Sequence, residues 1–537
     1  MREISPAIRK LIEDYQSWQK SLSPDPEAIN IKVDEVASKV ASFYERIRKI
    51  VDWKEQHLMR RVAIERILKR RLLLRTKEQQ IAESFVFELV RGGYFPKTPI
   101  RKTKISIIQN VLDKYIFILD NLKKINLKDK SQGELYTEIL GIAACEIEET
   151  LNPSFYLKQN SLLDFVETMM RARIKVGERA QKLTKITEEE INIQIYVAVQ
   201  QALFKLDLPI ISYNLIKRRY PFWRKASQEQ IYEFAQNVCI ILENVEKTLD
   251  HPLADKFYKI AERYNTPYLL LDDVISKNPQ ELMMDVSDPS ILDKLVSKAY
   301  SLRLKTLRSR LGRAAFYSTL SIFLTNVFAL YVLEFPFAKY VMGTINPVAA
   351  VVDVLGPTFL MLLLISTVRM PRKENRKLVI EEVQKIVYQD QPEESYEVEI
   401  YPRGNIIFKI INNLLYGISF CLCFGLILFA LHELNYPPLS YVLLIMFTSL
   451  IAFTGTKIRK RSRELHVTEE RESFLQVIID LFSLPVIRLG KWLLARWKKI
   501  NILGVVFNVL IDTPFFIFVE FLEQWRYFLK EKKEDIR

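Results

Sequence analysis

Hydrophobic and polar positions follow two regimes along this chain. Up to about residue 311 apolar residues recur at helical spacing in a polar background, whereas between 314 and 456 uncharged apolar runs alternate with dense basic clusters. Four of those runs, 314–333, 347–368, 414–431 and 439–455, have about the length that a helix rising 1.5 Å per residue needs to cross a hydrocarbon core of ~30 Å. A bilayer offers no partner to an open backbone, so each run is expected to be helical.

The flanks of the runs set an orientation. Arg303, Lys305, Arg308, Arg310 and Arg313 precede the first; Arg369, Arg372, Lys373, Arg376 and Lys377 follow the second. Arg403 and Lys409 precede the third, and Lys457, Arg459, Lys460, Arg461 and Arg463 follow the fourth. The connections 334–346 and 432–438 contain only Lys339. This bias puts both connections outside and the rest in the cytoplasm.

The resulting expectation is an all-α polytopic membrane protein of the cell (inner) membrane, with both termini cytoplasmic. It would comprise an N-terminal cytosolic helical domain, two transmembrane helical hairpins (four spans) and C-terminal interfacial amphipathic helices. The pattern divides the chain into a helical subdomain (1–91), a cytosolic helical domain (100–311), hairpin 1 (314–368), a small cytosolic insertion (370–405), hairpin 2 (410–456) and interfacial helices (470–530).

Cap chemistry marks several helix starts. Asp25-Pro26, Asn278-Pro279 and Asp288-Pro289 place a capping side chain before a proline. Thr187 with Glu190, and Ser227 with Gln230, fit the capping box. Ile29, Val33, Val36, Val40, Phe43, Ile47 and Ile50 repeat at 4-3 spacing, as in a coiled coil or a helix packed in a bundle. Gly92-Gly93 and Pro96 mark a break. Shorter helices are expected over 253–300. The alternation at 395–401, followed by 406–410, suggests a small β-hairpin.

The segments 474–494 and 502–522 are apolar enough to suggest a third hairpin. Spanning would carry Arg496, Lys498 and Lys499 outside, and their polar residues gather on one side. Helices lying in the cytoplasmic interface are therefore expected, with Trp492, Trp497 and Trp525 at headgroup depth.

Charge narrows where a partner would bind. The net charge of +14 is concentrated between residues 46 and 77, where twelve Lys or Arg face only Asp52, Glu55 and Glu65. Arg60, Arg61, Arg66, Lys69, Arg70, Arg71 and Arg75 form a candidate basic contact surface for anionic lipid, nucleic-acid phosphate or an acidic protein, or else a solvated face over a core helix. A second basic-aromatic loop contains Lys217, Arg218, Arg219, Trp223, Arg224 and Lys225. Its aromatics either stack on a ligand or fill a local core.

Within the spans, Asp353 and Asn326 are candidate polar sites. Asp353 precedes Gly356-Pro357, which loosens the helix. It serves either a structural bond to Asn326 or another polar residue of the bundle, or an ion or proton pathway.

Catalytic signatures are missing: there is no HExxH, P-loop or GxSxG, and the four histidines, His57, His251, His432 and His466, are dispersed. Glu134, Glu138, Glu146, Glu148 and Glu149 lack the histidines of a di-iron site. The four cysteines form no CxxC pair and read as free thiols, and no cofactor or metal is expected. With no apolar h-region at the start, the first span is expected to serve as the insertion signal.

The pattern favours a membrane-anchored, cytosolic-facing binding or scaffold protein. Expected partners are the lipid bilayer and a protein partner or homo-oligomer. An oligomeric transporter or channel component using Asp353, and a tether for nucleic acid or the ribosome, are the other readings.

Overall fold

The computed structural model describes residues 2–22, 39–40, 43, 58–73, 81–95, 102–122, 132–342, 347–366, 368, 370–371, 373–389, 395–399, 406–433, 436, 438–466, 474–499 and 513–535. The heptad positions Ile29, Val33, Val36, Ile47 and Ile50, the Asp25-Pro26 cap, Arg75, and all of 502–512 lie outside these residues.

Helices dominate. The first part contains α1 (Pro6–Ser21), α2 (Met59–Leu73), α3 (Ala82–Arg91), α4 (Lys102–Leu122), α5 (Gln132–Leu151), α6 (Pro153–Arg173), β1 (Ile174–Val176) and α7 (Glu178–Thr184). It continues with α8 (Glu188–Phe204), α9 (Leu208–Arg219), α10 (Gln228–Leu249), α11 (Ala254–Arg263), α12 (Asn265–Ile275) and the single turn α13 (Leu282–Asp285). The second part contains α14 (Pro289–Ala329), α15 (Pro347–Ser366), α16 (Lys373–Tyr388), β2 (Tyr396–Val398), α17 (Ile406–Glu433), α18 (Pro438–Ser462), α19 (Phe474–Lys499) and α20 (Thr513–Asp535).

The capping signals act locally as their chemistry dictates. Thr187 and Ser227 each close a full capping box, with Glu190 and Gln230 returning to the cap backbone. Asp288 accepts from the Ser290 N–H at 2.8 Å and starts α14. Asn278 does not start a helix at Pro279; its amide instead donates to Glu281, and the turn α13 begins at Leu282. Gly93, at φ 74°, takes the left-handed conformation that releases the chain after α3.

Among the described residues, two large hydrophobic cores organise these helices. One unites α2, α3, α4, α5, α9 and α10 through residues such as Ile64, Phe85, Ile118, Ile147, Tyr213 and Leu242, so it runs across the break at Gly92-Gly93. The other gathers Tyr15 of α1, Met170 of α6, Phe257 of α11, Leu271 of α12 and Val296 of α14. That same core takes in Val383 of α16, Met361 of α15, and Ile451 and Ile458 of α18. Helix α16 and one end of the apolar helices α15 and α18 are thus built into the same core as the large helical body.

Two expectations are corrected here. The region 253–300 does not end in short helices: from Pro289 one helix of 41 residues runs to Ala329 and continues through π-helical turns at Leu330–Glu334 and Ala338–Met342. The expected β-hairpin is also absent, because Tyr396–Val398 pairs in parallel with Ile174–Val176, Lys175 standing opposite Glu397. Residues 406–410 instead begin α17, where an apolar stretch can continue into a long helix rather than form a marginal two-stranded ribbon. Beyond these, α19 packs along α18 and α17. A Cβ on Gly490 would collide with the Ser449 backbone, and Arg488 stacks 4.5 Å from the Tyr416 ring centroid.

Among the described residues, three helices, within Pro289–Tyr340, Asn413–Glu433 and Leu439–Leu465, are long and apolar enough to cross a membrane. The apolar helix Ala350–Ser366 is shorter. Large apolar side chains on these helices, including Phe316, Phe328, Phe359, Leu426, Phe429 and Val442, are exposed. α20 likewise presents Ile517, Phe518, Phe521 and Trp525 on its surface.

Candidate functional site

The basic helix α2 turns most of its cations inward. Arg61 is 1% exposed and lies between Glu65, at 2.5 Å, and Asp207. Arg60 meets Glu148 at 3.0 Å and covers the Phe155 ring. Arg66 donates to the Tyr94 hydroxyl. Arg70 and Arg71 both pair with Glu88, and Arg71 also donates to the Ser84 hydroxyl at 2.8 Å. Lys69 is exposed. The expected contact surface is therefore chiefly an internal lattice of ion pairs, because α3, α5 and the start of α9 supply carboxylates at matching heights. Burial raises the Glu148 carboxyl above its usual range against the opposing pull of Arg60.

The loop after α9 is part core and part surface. Trp223 is buried, donates from Nε1 to the Tyr115 hydroxyl at 3.2 Å and packs 4.3 Å, centroid to centroid, from Phe234. Its carbonyl accepts from Lys114 Nζ, which is also 2.6 Å from Glu146. Burial pulls the Lys114 ammonium below its usual range, and Glu146 opposes that pull. Lys217 pairs with Glu149, Arg218 forms a two-pronged bond with Glu167, and Arg224 approaches Glu149 at 3.5 Å. Arg219, Arg224 and Lys225 stay exposed. Beside them Phe222 is 73% exposed and Tyr232 52%, with Phe117 packed 6.3 Å from the Tyr232 ring.

A different arrangement stands at the end of the apolar helices where α14 finishes. Asp353 is 7% exposed, and neither carboxyl oxygen meets a donor. Its carboxyl lies within hydrogen-bonding reach of Glu334, and Ser440 stands alongside. Two carboxylates are both acceptors, so contact between them forms no hydrogen bond until a proton arrives. Tyr436, in the connection between α17 and α18, is buried over the pair with its hydroxyl unpartnered.

Backbone geometry sharpens the site. Pro357 has no N–H, so the Asp353 carbonyl lacks the donor four residues on that a regular helix provides. Glu334 closes a π-helical turn, a departure that frequently coincides with functional positions. Asn326, 3% exposed with both amide atoms unpartnered, lies eight residues before Glu334, about 12 Å along the helix. Sequence reasoning found Asp353 and Asn326 but missed Glu334, Tyr436 and Ser440. Glu334 fell just past the apolar run and was assigned to a connection; its spacing from Asn326 was the available signal.

Among the described residues no group of three or more His, Cys, Asp or Glu side chains converges to hold a metal ion. Fold and site define a largely helical protein, with extensive helix packing, long apolar helices and one under-satisfied carboxyl pair among them. Comparison with protein-family models, curated proteins and solved structures returns no match for the chain.

Proposed function

We propose that this is a polytopic inner-membrane protein whose cytosolic helical body serves as a docking platform for a protein partner. Both termini lie in the cytoplasm, as the basic flanks require. The exposed apolar side chains of α14, α15, α17 and α18 support this placement, since contiguous apolar surface of that extent is costly in water.

The observation that carries the platform reading is the core shared by the cytosolic helices and the inner ends of the apolar helices. Such a core holds the body in one orientation at the bilayer instead of on a flexible tether. The docking surface draws on exposed side chains of this part of the body: Phe222, flanked in sequence by Arg219, Arg224 and Lys225, and the packed pair Phe117–Tyr232. Its occupant is a protein that presents an apolar contact ringed by acidic side chains. The ion pairs of Arg60, Arg61, Arg70 and Arg71 with carboxylates of neighbouring elements weigh against the nucleic-acid reading.

The test is recovery of a stoichiometric partner from gently solubilised native membranes. Phe222→Ser with Tyr232→Ser should abolish recovery while leaving thermal stability unchanged, because both side chains are exposed. Undiminished recovery would remove this surface from the proposal. The transport reading draws on the Glu334–Asp353 pair, whose chemistry is a separate matter.

A further inference from the structure

Glu334 and Asp353 approach from separate segments and touch through their carboxyl groups. If both were ionised, two negative charges would stand at hydrogen-bond distance under an apolar cover, where Coulomb repulsion is several-fold stronger than in water. Ser440 and the Tyr436 hydroxyl are the neighbouring polar groups, and no cation stands in that set. Of the other charged or titratable groups on the flanking segments, Tyr331, Lys339, Tyr340, His432 and Glu433 are exposed and Tyr441 is half-buried.

We propose that Glu334 and Asp353 form a proton-binding site, in which one proton is shared between the two carboxyls and locks the end of α14 to α15 beneath Tyr436. This rests on the membrane placement given above, which supplies the apolar surroundings. One proton turns an acceptor–acceptor contact into a short charge-assisted hydrogen bond and halves the buried charge. Tyr436 and Ser440 then donate to the oxygens that remain. A dehydrated divalent cation would ask for six or more oxygen ligands, more than this set provides. Loss of the shared proton restores the repulsion and drives the π-helical end of α14 away from α15. The site is thus a proton-controlled latch at the outer end of the bundle.

The test uses the full chain reconstituted in lipid vesicles and treated with dicyclohexylcarbodiimide. This apolar reagent adds the O–H of a protonated carboxyl across its C=N bond, and the acyl group then moves to nitrogen to leave a stable N-acylurea. Peptide mass spectrometry should find the adduct on Glu334 or Asp353 at neutral pH. Labelling should decline as pH rises and stay constant when sodium, potassium or calcium is exchanged at fixed pH. Glu334→Gln removes the like charge and supplies an amide donor, so labelling of Asp353 at neutral pH should fall about tenfold, the effect of one pKa unit.

Absence of any adduct in the unaltered chain would overturn the proposal. So would undiminished labelling of Asp353 in the Glu334→Gln chain, since burial alone would then hold the proton. Protection by a metal ion at constant pH would overturn it in favour of a cation site. Alkaline carbonate extraction separates the two readings. Release of the chain would remove the membrane placement and the proposal together, whereas a retained but unlabelled chain would remove the proton site alone.

Discussion

Arg61 in α2 and Asp353 in α15 are both buried charges, and their surroundings are opposites. Arg61 lies between two carboxylates contributed by its own helix and by the start of α9. Asp353 faces a second carboxyl with only the Ser440 hydroxyl and no cation beside it, and its backbone carbonyl has lost its helical partner to Pro357. Burial of charge is tolerable where the opposite charge is built in. Where it is not, the missing charge comes from outside, and the site responds to whatever supplies it.

The comparison can be broken by mutation. Arg61→Ala should be the most damaging change, costing about 3 kcal/mol or more, because it leaves Asp207 and Glu65 without their shared partner and opens a cavity. Denaturant unfolding of the solubilised chain, followed by tryptophan fluorescence, measures it. A loss below about 1 kcal/mol would mean that the arginine is not held as described. Asp353→Asn should go the other way: the amide donates to Glu334, so stability should hold or rise by up to about 1 kcal/mol. A large loss would show that the aspartate has a counter-charge.

Asp288 provides the intermediate case, an exposed carboxylate satisfied by backbone donors. The Ser290 N–H holds its carboxyl below the usual carboxylate range. A depressed folded value means that its contribution is complete above the ordinary carboxylate pKa and is lost as pH falls through the folded one. Amide exchange in the first turn of α14 should therefore quicken on acidification below about pH 4. Asp288→Asn keeps a capping oxygen but cannot titrate, so that pH dependence should vanish.

These contrasts also mark how far the sequence is legible. Caps at Thr187, Ser227 and Asp288 are readable because cap and responder lie within four residues. The long apolar runs are readable because length and charge flanks are properties of the line. The partners of α2 are not, since Glu88, Glu148 and Asp207 arrive from other helices, so its arginines look like a free basic face. β2 shows the same limit: period two at 395–401 signals an extended stretch, but its partner Ile174–Val176 lies more than two hundred residues upstream. Glu334 escaped notice because continuation of the helix past Leu333 depends on π-helical turns that no local spacing announces. Trp223 was legible as an aromatic among cations, but its burial depends on Tyr115 and Phe234 from two separate helices.

The core that joins α1 and α6 to α16 and α18 also constrains how the protein is made. Ile8, Ile12 and Tyr15 leave the ribosome hundreds of residues ahead of Val383, Ile451 and Ile458, with which they share one core. The nascent N-terminal body must wait, partly assembled, while the apolar helices reach their positions. Its final compaction awaits those helices, and a chain stalled midway would display unburied α1 and α6 surfaces to the cell's proteases and chaperones.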